Sequence, residues 1–329
     1  MKQRAGNNRT IYLLDGEMES LSGRFLSSTQ NSYSEEEVID RIIWGDLMSV
    51  IDRLPVEFAD LIIIDPPYNI SKNYNGLKFA ACSDAEYFKY INSWFPAVCR
   101  CLKPTGSIYV CGDWRSTGIL QTVIGRYLHI INRITWQREK GRGAKHNWKN
   151  AMEDIWFGVK NVDDYYFDVE SVKQKRRVIA PYKEAGKPKD WFATDNGNYR
   201  LTYPSNFWDD ISIPYWSMPE NTDHPTQKPE KLMAKLILAS CPESGVVFDP
   251  FLGSGTTAVT AKKLGRHYCG IEINKEYACL AEKRLLLADN DKNIQGYVDG
   301  VFWERNTLSD QKKTLKTARS SNKNTMPSL

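Results

Sequence analysis

A carboxylate, two prolines and an aromatic residue directly follow a run of aliphatic residues at positions 61–64. Four consecutive aliphatic residues predict a strand that is buried on both faces. The strand must end at the carboxylate, because the proline after it cannot donate to a β-ladder. Open α/β sheets build their sites at the carboxyl ends of such strands. The stretch therefore predicts a site that contains Asp65, Pro66, Pro67 and Tyr68.

A second stretch, residues 248–257, places two glycines between a predicted strand and a predicted helix. Gly253 and Gly255 allow a tight turn and a close approach of the backbone to a ligand. The helix that follows offers unpaired N–H groups at its start. Glu272 lies 19 residues after Gly253, at the end of the next predicted strand, where a carboxylate can hold ribose hydroxyls. The stretch predicts a site for a nucleotide-like cofactor.

Three classes of ligand compete for this second site. A phosphate-binding P-loop needs Gly-Lys-Ser/Thr, whereas Thr256 and Thr257 follow Gly255, so this class is excluded. A dinucleotide is allowed by the glycine spacing together with Glu272. S-adenosylmethionine carries ribose hydroxyls and a charged methionine tail without any phosphate, and it is allowed as well. These residues alone leave the last two classes open.

The two stretches together resemble the DNA amino-methyltransferases. The matching residues are Asp65-Pro66-Pro67-Tyr68 and Asp249-Pro250-Phe251-x-Gly253-x-Gly255. The segment His-Pro-Thr-Gln-Lys-Pro at 224–229 belongs to the same pattern. The order of catalytic motif, variable insert and cofactor motif is similar to the β arrangement of that family. The resemblance covers roughly residues 38–290 and leaves out the tails and most of residues 160–215.

The resemblance implies S-adenosylmethionine as the cofactor. In this reading Asp46 faces its adenine, Glu272 binds its ribose, and Thr226 and Lys228 lie near its methionine end. The residues expected to bind the cofactor are Asp46, Asp65, Thr226, Lys228, Asp249, Phe251, Gly253, Gly255, Thr256 and Glu272. No metal is expected, because the methyl donor is already a sulfonium.

The chemistry implied at Asp65 is methylation of an exocyclic amino group of a base, which is a poor nucleophile because its lone pair is delocalised into the ring. The Asp65 carboxylate and the Pro66 carbonyl can accept both amino hydrogens and hold the nitrogen in line with the methyl group. Tyr68 offers a face on which a base flipped out of a duplex can stack. In the family, Asp at the first motif position goes mostly with adenine N6 and Ser mostly with cytosine N4. Asp65 therefore favours adenine N6, with cytosine N4 as the alternative.

Basic residues in the loop 139–152 and in the insert predict a surface for a polyanion. Double-stranded DNA is the expected partner, and phosphates are more plausible targets for these residues than base edges. The expected contacts are Lys140, Arg142, Lys145, Lys149, Arg176 and Arg177. The loop also looks like restriction-modification enzymes that protect AAGCTT, so a cognate restriction endonuclease sharing the target site is expected.

The elements that must position these residues form a doubly wound α/β fold. We predict a mostly parallel, seven-stranded, Rossmann-like sheet with one antiparallel strand from a hairpin at 130–160, beside an irregular target-recognition region. The expected divisions are a polar N-terminal extension, the catalytic half, the recognition insert, the cofactor-binding half and a partly disordered C-terminal extension. Their ranges are 1–36, 37–160, 161–216, 217–290 and 291–329.

The composition fits this interpretation. The 329 residues are 41% hydrophobic and 26% charged, as in an ordinary globular protein, and the net charge of +4 decides nothing alone. No apolar run approaches the about 20 residues that span a bilayer. Scattered cysteines without a C-x-x-C pair indicate reduced thiols in a cytoplasmic protein. A monomer or dimer is expected.

Other substrates and other classes of protein remain open from the sequence. RNA or single-stranded DNA are alternative substrates, although the large insert favours readout of a duplex. A nucleic-acid-binding protein on an inactive methyltransferase scaffold is an alternative that the complete motifs oppose. A nicotinamide-dependent oxidoreductase would leave Asp65 to Tyr68 unexplained.

Overall fold

The computed structural model describes residues 5–74, 76–138, 145–178, 182–194 and 197–311. The α-helices in these ranges are α1 (Glu17–Ser22), α2 (Glu35–Val38), α3 (Leu47–Val50), α4 (Asp84–Arg100), α5 (Thr117–Tyr127), α6 (Glu230–Ser240), α7 (Thr256–Lys263) and α8 (Lys275–Asn290). The strands are β1 (Leu26–Ser27), β2 (Arg41–Trp44), β3 (Ala59–Ile64), β4 (Lys72–Tyr74), β5 (Leu77–Phe79), β6 (Leu102–Gly112), β7 (His129–Gln137), β8 (Met152–Val159), β9 (Gln174–Arg177), β10 (Lys183–Glu184), β11 (Lys187–Pro188), β12 (Phe192–Thr194), β13 (Gly197–Thr202), β14 (Phe207–Trp208), β15 (Val246–Asp249), β16 (His267–Glu272), β17 (Tyr297–Val298) and β18 (Val301–Trp303). In the described ranges, every helix is too short or too polar to cross a membrane.

The main sheet has the strand order β1-β2-β16-β15-β3-β6-β8-β7-β14 across the described residues. Neighbouring strands are parallel except at β8, which is antiparallel to both β6 and β7. This arrangement confirms the predicted doubly wound, mostly parallel sheet with an antiparallel strand from the 130–160 hairpin. The prediction is seven strands, and the structure adds the two-residue strands β1 and β14 at the edges. Strands this short carry no periodicity that a sequence pattern can reveal.

The two motifs end neighbouring strands at the centre of this sheet. Val247 of β15 pairs with Leu61 of β3 in parallel. From β3 the chain continues outward to β6, and from β15 it continues outward in the opposite direction to β16. The strand order therefore reverses between β3 and β15, and such a switch point opens a crevice at the carboxyl ends of the strands.

The aliphatic run in β3 is buried on both faces, as its sequence predicts. Leu61, Ile62, Ile63 and Ile64 are all fully buried. Leu61 and Ile63 belong to the hydrophobic cluster on one face of the sheet. Ile62 and Ile64 belong to the cluster on the other face. Because successive side chains of a strand point to opposite faces, β3 joins both halves of the core and fixes where Asp65 emerges.

A second, five-stranded sheet with the order β12-β13-β9-β18-β17 lies in the described residues. It combines three strands of the region 161–216 with two from beyond residue 290, so the region 161–216 is more regular than its sequence predicts. The strand β9 reads Gln-Lys-Arg-Arg and lacks an apolar alternation. Instead the Lys175 ammonium lies 4.3 Å from the ring centroid of Trp303 and 4.9 Å from that of Tyr199. The Lys175 ammonium thus lies against aromatic rings at a position where an aliphatic side chain would ordinarily pack.

The N-terminal region contacts the sheet domain rather than extending from it. The Ile11 N–H donates to the Asn221 carbonyl at 2.7 Å, and β1 pairs in parallel with β2. The Lys283 ammonium of α8 lies 2.6 Å from the Glu17 carboxylate of α1. Residues 5–36 therefore carry backbone hydrogen bonds and an ion pair to the rest of the fold.

A buried carboxyl group, Glu220, makes the stability of the fold depend on pH. Its side chain accepts a hydrogen bond from the Glu230 N–H at 2.6 Å. Burial, assisted by the nearby charge of Glu230, raises the pKa of Glu220 to about 8. A carboxyl group whose folded-state pKa is raised contributes stability that is complete below its unfolded pKa and is lost as the pH rises through its folded pKa.

We therefore expect the free energy of unfolding to fall between pH 5 and pH 8, and Glu220→Gln to reduce that fall by roughly 1–3 kcal/mol. Urea unfolding at the two pH values measures the effect. Glu243→Gln replaces an exposed glutamate and should keep the pH dependence of the original chain. An identical pH dependence in Glu220→Gln would contradict the prediction.

Candidate active site

A cavity of about 490 Å³ opens at the carboxyl ends of β3 and β15. Both predicted motifs and the 224–229 segment contribute to its wall. The predicted site residues that line it are Asp46, Asp65, Pro66, Pro67, Tyr68, Thr226, Lys228, Phe251, Gly253 and Glu272. Residues distant in the sequence thus meet in one space of a volume typical for small-molecule sites.

Lys228 contacts Asp65 directly. Its ammonium nitrogen lies 2.7 Å from both carboxylate oxygens of Asp65 and donates to the Tyr68 hydroxyl at 3.1 Å. The Tyr68 hydroxyl in turn donates to Asp65 Oδ1 at 2.9 Å. Burial lowers the pKa of Lys228, but the two carboxylates beside it outweigh burial and raise that pKa well above its ordinary value. The Lys228 side chain is therefore a positively charged ammonium group that lies beside the Asp65 carboxylate.

Two residues outside the predicted site complete this cluster. Glu153 Oε2 lies 3.3 Å from the Lys228 nitrogen and 3.1 Å from the Tyr68 hydroxyl. Arg138 Nη1 donates to Glu153 Oε1 at 2.6 Å. Glu153 stands at the start of β8, and an antiparallel strand in a parallel sheet begins at the edge where its neighbours end. The predicted strand direction was the signal that could have placed Glu153 at this edge.

The carboxylate of Glu272 both faces the cavity and fixes the glycine loop. Its Oε2 accepts the Gly253 N–H at 2.7 Å, and its Oε1 accepts the Asn274 N–H at 2.7 Å. Burial raises the pKa of Glu272 to about 7, against the opposing effect of these two hydrogen bonds. Gly253 has φ +56°. Its loop therefore adopts a left-handed conformation that a glycine accommodates without strain.

His224 lines the same part of the cavity, and its role was not predicted. Its ring packs edge-on against Tyr277 with the centroids 4.4 Å apart. Burial lowers the pKa of His224 to about 4, so the ring is neutral. Its Nδ1 is buried and has no hydrogen-bond partner among the described residues. A buried polar atom without a hydrogen-bond partner is uncommon in folded proteins.

Three residues expected to bind the cofactor support the loop instead of lining the described cavity. Asp249 accepts the Phe251 N–H at 3.0 Å, and burial raises the pKa of Asp249 to about 7. The Thr256 hydroxyl accepts from Arg284 at 3.0 Å. A Cβ added to Gly255 would lie 2.5 Å from the Cβ of Ala281, so this glycine allows α7 and α8 to approach.

Gly255→Ala is expected to lower the free energy of unfolding by about 2–5 kcal/mol, because it adds a steric overlap to a φ of +82°. Gly265→Ala is the matched control, because its φ is +72° and nothing lies within 4 Å of the added Cβ. The control should lose only about 1–2 kcal/mol. Urea unfolding of both variants separates the packing effect from the backbone effect, and equal losses would rule out the packing role.

The residues expected to contact DNA lie in two places. Lys145 and Lys149 are exposed in the loop before β8, whereas Lys140 and Arg142 lie outside the described residues. Arg176 and Arg177 belong to β9 of the second sheet. Arg176 is 3.6 Å from the Asp209 carboxylate and 3.8 Å from that of Glu304. Contact of these side chains with DNA stays a prediction.

Comparison with known proteins agrees with this geometry. A family model described as DNA methylase (N6_N4_Mtase) matches residues 59–283. The chain is 34% identical over 258 residues to the DNA adenine methyltransferase YhdJ of Escherichia coli (strain K12), covering 76% of this chain and 83% of that protein. It is 32% identical over 249 residues to the type II methyltransferase M.HpaI of Haemophilus parainfluenzae, covering 74% of each.

Solved structures share the fold. The crystal structure of the M1.HpyAVI–SAM complex matches with a TM-score of 0.52 at 24% identity, over 74% of this chain and 98% of that one. The cytosine-N4-specific PvuII DNA methyltransferase matches with a TM-score of 0.54 at 18% identity, over 81% of this chain and 94% of that one. With the family match extending over most of the sheet domain, the chain belongs to the N6/N4 DNA methylase family and is a DNA methyltransferase.

Proposed function

We propose that this chain transfers a methyl group from S-adenosylmethionine to adenine N6 at a short, specific site in duplex DNA. The observation that carries the proposal is the position of Asp65, a carboxylate at the end of β3 that shares one cavity with the glycine loop. A methyl donor held by the loop and an amine held by the carboxylate would meet there.

The residues of the cavity fit S-adenosylmethionine. Glu272 offers a carboxylate to ribose hydroxyls. Phe251 and Ile271 supply apolar wall for an adenine ring, and Asp46 lies at the same wall. When bound, the cofactor supplies an activated methyl group on a sulfonium.

The chain's own residues hold the nucleophile. Asp65 and the Pro66 carbonyl accept the amino hydrogens of the base, and the oriented acceptors direct the nitrogen lone pair at the methyl group. The hydrogen bond from the Tyr68 hydroxyl to Asp65 Oδ1 fixes the Tyr68 ring as a stacking face. The base reaches this depth only after it is flipped out of the duplex, and stacking on an aromatic ring is worth about 1–3 kcal/mol. Asp65 receives the proton as or after the nitrogen becomes cationic.

Adenine is favoured over cytosine by Asp rather than Ser at the first motif position, and by the name of the Escherichia coli relative. The fold does not discriminate, because the PvuII enzyme has the same fold and is cytosine-N4-specific. Cytosine N4 is therefore the second candidate. The relative M.HpaI is named a type II methyltransferase, which supports a protective role beside a restriction endonuclease. AAGCTT is the first target to test.

The test is single-molecule, methylation-sensitive sequencing of DNA from a methylation-free host that expresses the chain. We expect N6-methyladenine confined to one short motif. Detection of N4-methylcytosine would support methyltransferase activity but contradict adenine as the target base. A folded protein that binds S-adenosylmethionine and leaves all DNA unmodified would point to RNA as the substrate or to a missing partner.

A further inference from the structure

Four charged side chains and one hydroxyl form a cluster of direct contacts beside the proposed target base. They are Asp65, Glu153, Lys228, Arg138 and Tyr68, and all five line the same cavity. Lys228 is 2.7 Å from Asp65 and 3.3 Å from Glu153, and Arg138 is 2.6 Å from Glu153. Two carboxylates thus face two cations, so the charges of these four side chains sum to zero, and the Lys72 ammonium at the same cavity wall adds a further positive charge.

The balance depends on Glu153. Without its carboxylate, Asp65 alone would face the Lys228 ammonium and the Arg138 guanidinium, and the cluster would carry one net positive charge. Glu153 is almost completely buried, with 5% of its side chain exposed, and Lys228 is equally enclosed at 7%. Water therefore screens the charge of these two groups only weakly, and their interactions extend across the pocket.

The proposed reaction is sensitive to such a charge. It begins with a cationic methyl donor and passes through a state in which positive charge moves to the amine nitrogen held at Asp65. An uncompensated positive charge in the same enclosed pocket opposes the binding of the cationic methyl donor. It also opposes the transfer of the methyl group, because the amine nitrogen becomes positively charged during that step.

We propose that Glu153 is a positioning residue that balances the charge of Lys228 and Arg138, so that a cationic methyl donor can bind beside Asp65. The inference rests on the proposed function, because it takes the ligand to be S-adenosylmethionine. It assigns a role to a residue outside both sequence motifs. Lys228 can then hold and orient Asp65 without making the pocket repel the donor.

The test compares two ligands that differ in charge at sulfur. S-adenosylmethionine is a sulfonium, whereas S-adenosylhomocysteine lacks the transferred methyl group, has a neutral sulfur and keeps all the other groups. Calorimetric titration of the full chain with each ligand gives the ratio of the two dissociation constants. Glu153→Gln removes the charge and keeps the shape. We expect it to weaken S-adenosylmethionine by roughly five- to tenfold relative to S-adenosylhomocysteine, as one added charge in an enclosed site should.

Arg138→Gln provides a second variant with the opposite sign. It removes a cation from a side chain that is 39% exposed, leaves the cluster with one net negative charge, and should shift the ratio in favour of S-adenosylmethionine. If Glu153→Gln did not fold, this variant alone would decide the question through the direction of its shift.

Asp154→Asn is the matched control, because it removes the next carboxylate of the same strand. The Asp154 carboxylate lies on the opposite face of β8, accepts from the Thr135 hydroxyl at 3.0 Å and lies 3.6 Å from Arg133. The ratio should be unchanged in this variant.

Parallel weakening of both ligands in Glu153→Gln, with no change in their ratio, would overturn the inference and leave the proposed function standing. An Arg138→Gln ratio that shifted against S-adenosylmethionine would also overturn it. Failure of the original chain to bind either ligand would overturn the proposed function itself, and the inference with it.

Discussion

Asp65→Ala is expected to lower the rate of methyl transfer by roughly a thousandfold or more, because it removes the acceptor that holds and orients the target amine. The variant should still bind S-adenosylhomocysteine within a few-fold of the original chain, since Glu272 and the glycine loop are untouched. The neutral ligand is the right probe, because the variant also leaves Lys228 without the carboxylate that lies 2.7 Å away. Single-turnover methylation of target DNA and calorimetry measure the two effects.

Asp60→Ala is a useful control for this first prediction. Asp60 lies in the same strand and pairs with Lys103 at 2.8 Å, away from the cavity wall. The Asp60→Ala variant should retain methylation activity, with at most a modest decrease in its free energy of unfolding. An equal loss of rate and of S-adenosylhomocysteine binding in Asp65→Ala would mean that the roles of the two strand ends are misassigned.

Asp210→Ala is expected to lower the free energy of unfolding by about 3–5 kcal/mol, because it leaves two buried ammonium groups without their counter-ion. Asp210 lies 2.6 Å from Lys231 and 2.7 Å from Lys235, and Lys235 is only 1% exposed. Denaturant unfolding at neutral pH measures the loss. Asp209→Ala, at the exposed neighbouring residue, should cost less than about 1 kcal/mol.

The loss caused by Asp210→Ala should also shrink as the pH rises. Burial lowers the pKa of Lys231 to about 8 even with Asp210 in place, so this lysine sheds its proton more readily in the folded state than in the unfolded state. A lysine whose folded-state pKa is depressed destabilises the fold at low pH, and stability returns as the pH rises through that pKa. A loss that stayed constant between pH 7 and pH 9.5 would argue against buried charge as the cause.

The sequence predicts the sheet and its two motif-bearing strands well, because their signals are local. The signals lie within a few residues of Asp65 and Gly253: an aliphatic run, prolines that end a strand, and glycines that form a turn. Each of them predicts a single local structure in a parallel sheet. Lys228 was expected near the methionine end of the cofactor, and the structure adds its contact with Asp65. That contact joins residues far apart in the chain, and no spacing rule reveals it.

The parts that the sequence did not predict depend on tertiary contacts. Glu153 is an acidic residue in an ordinary strand pattern until β8 is known to start at the edge where β3 ends. The second sheet was hidden for a different reason. Strand β9 packs Lys175 against the aromatic ring of Trp303 and uses no aliphatic residue for this contact. The sequence of β9, Gln-Lys-Arg-Arg, therefore has the composition of a solvated loop.

The second sheet also bears on how the specificity of this enzyme could be transplanted. Phe302 of β18 pairs with Gln174 of β9, at the point where the three strands of the insert meet the two strands from beyond residue 290. A chimera that received only the insert from another methyltransferase would have to pair a foreign β9 with the resident β18. Given the recognition role that we propose for residues 161–216, an exchange of target specificity should move residues 161–216 and 294–311 together, as one unit assembled from two separate parts of the chain.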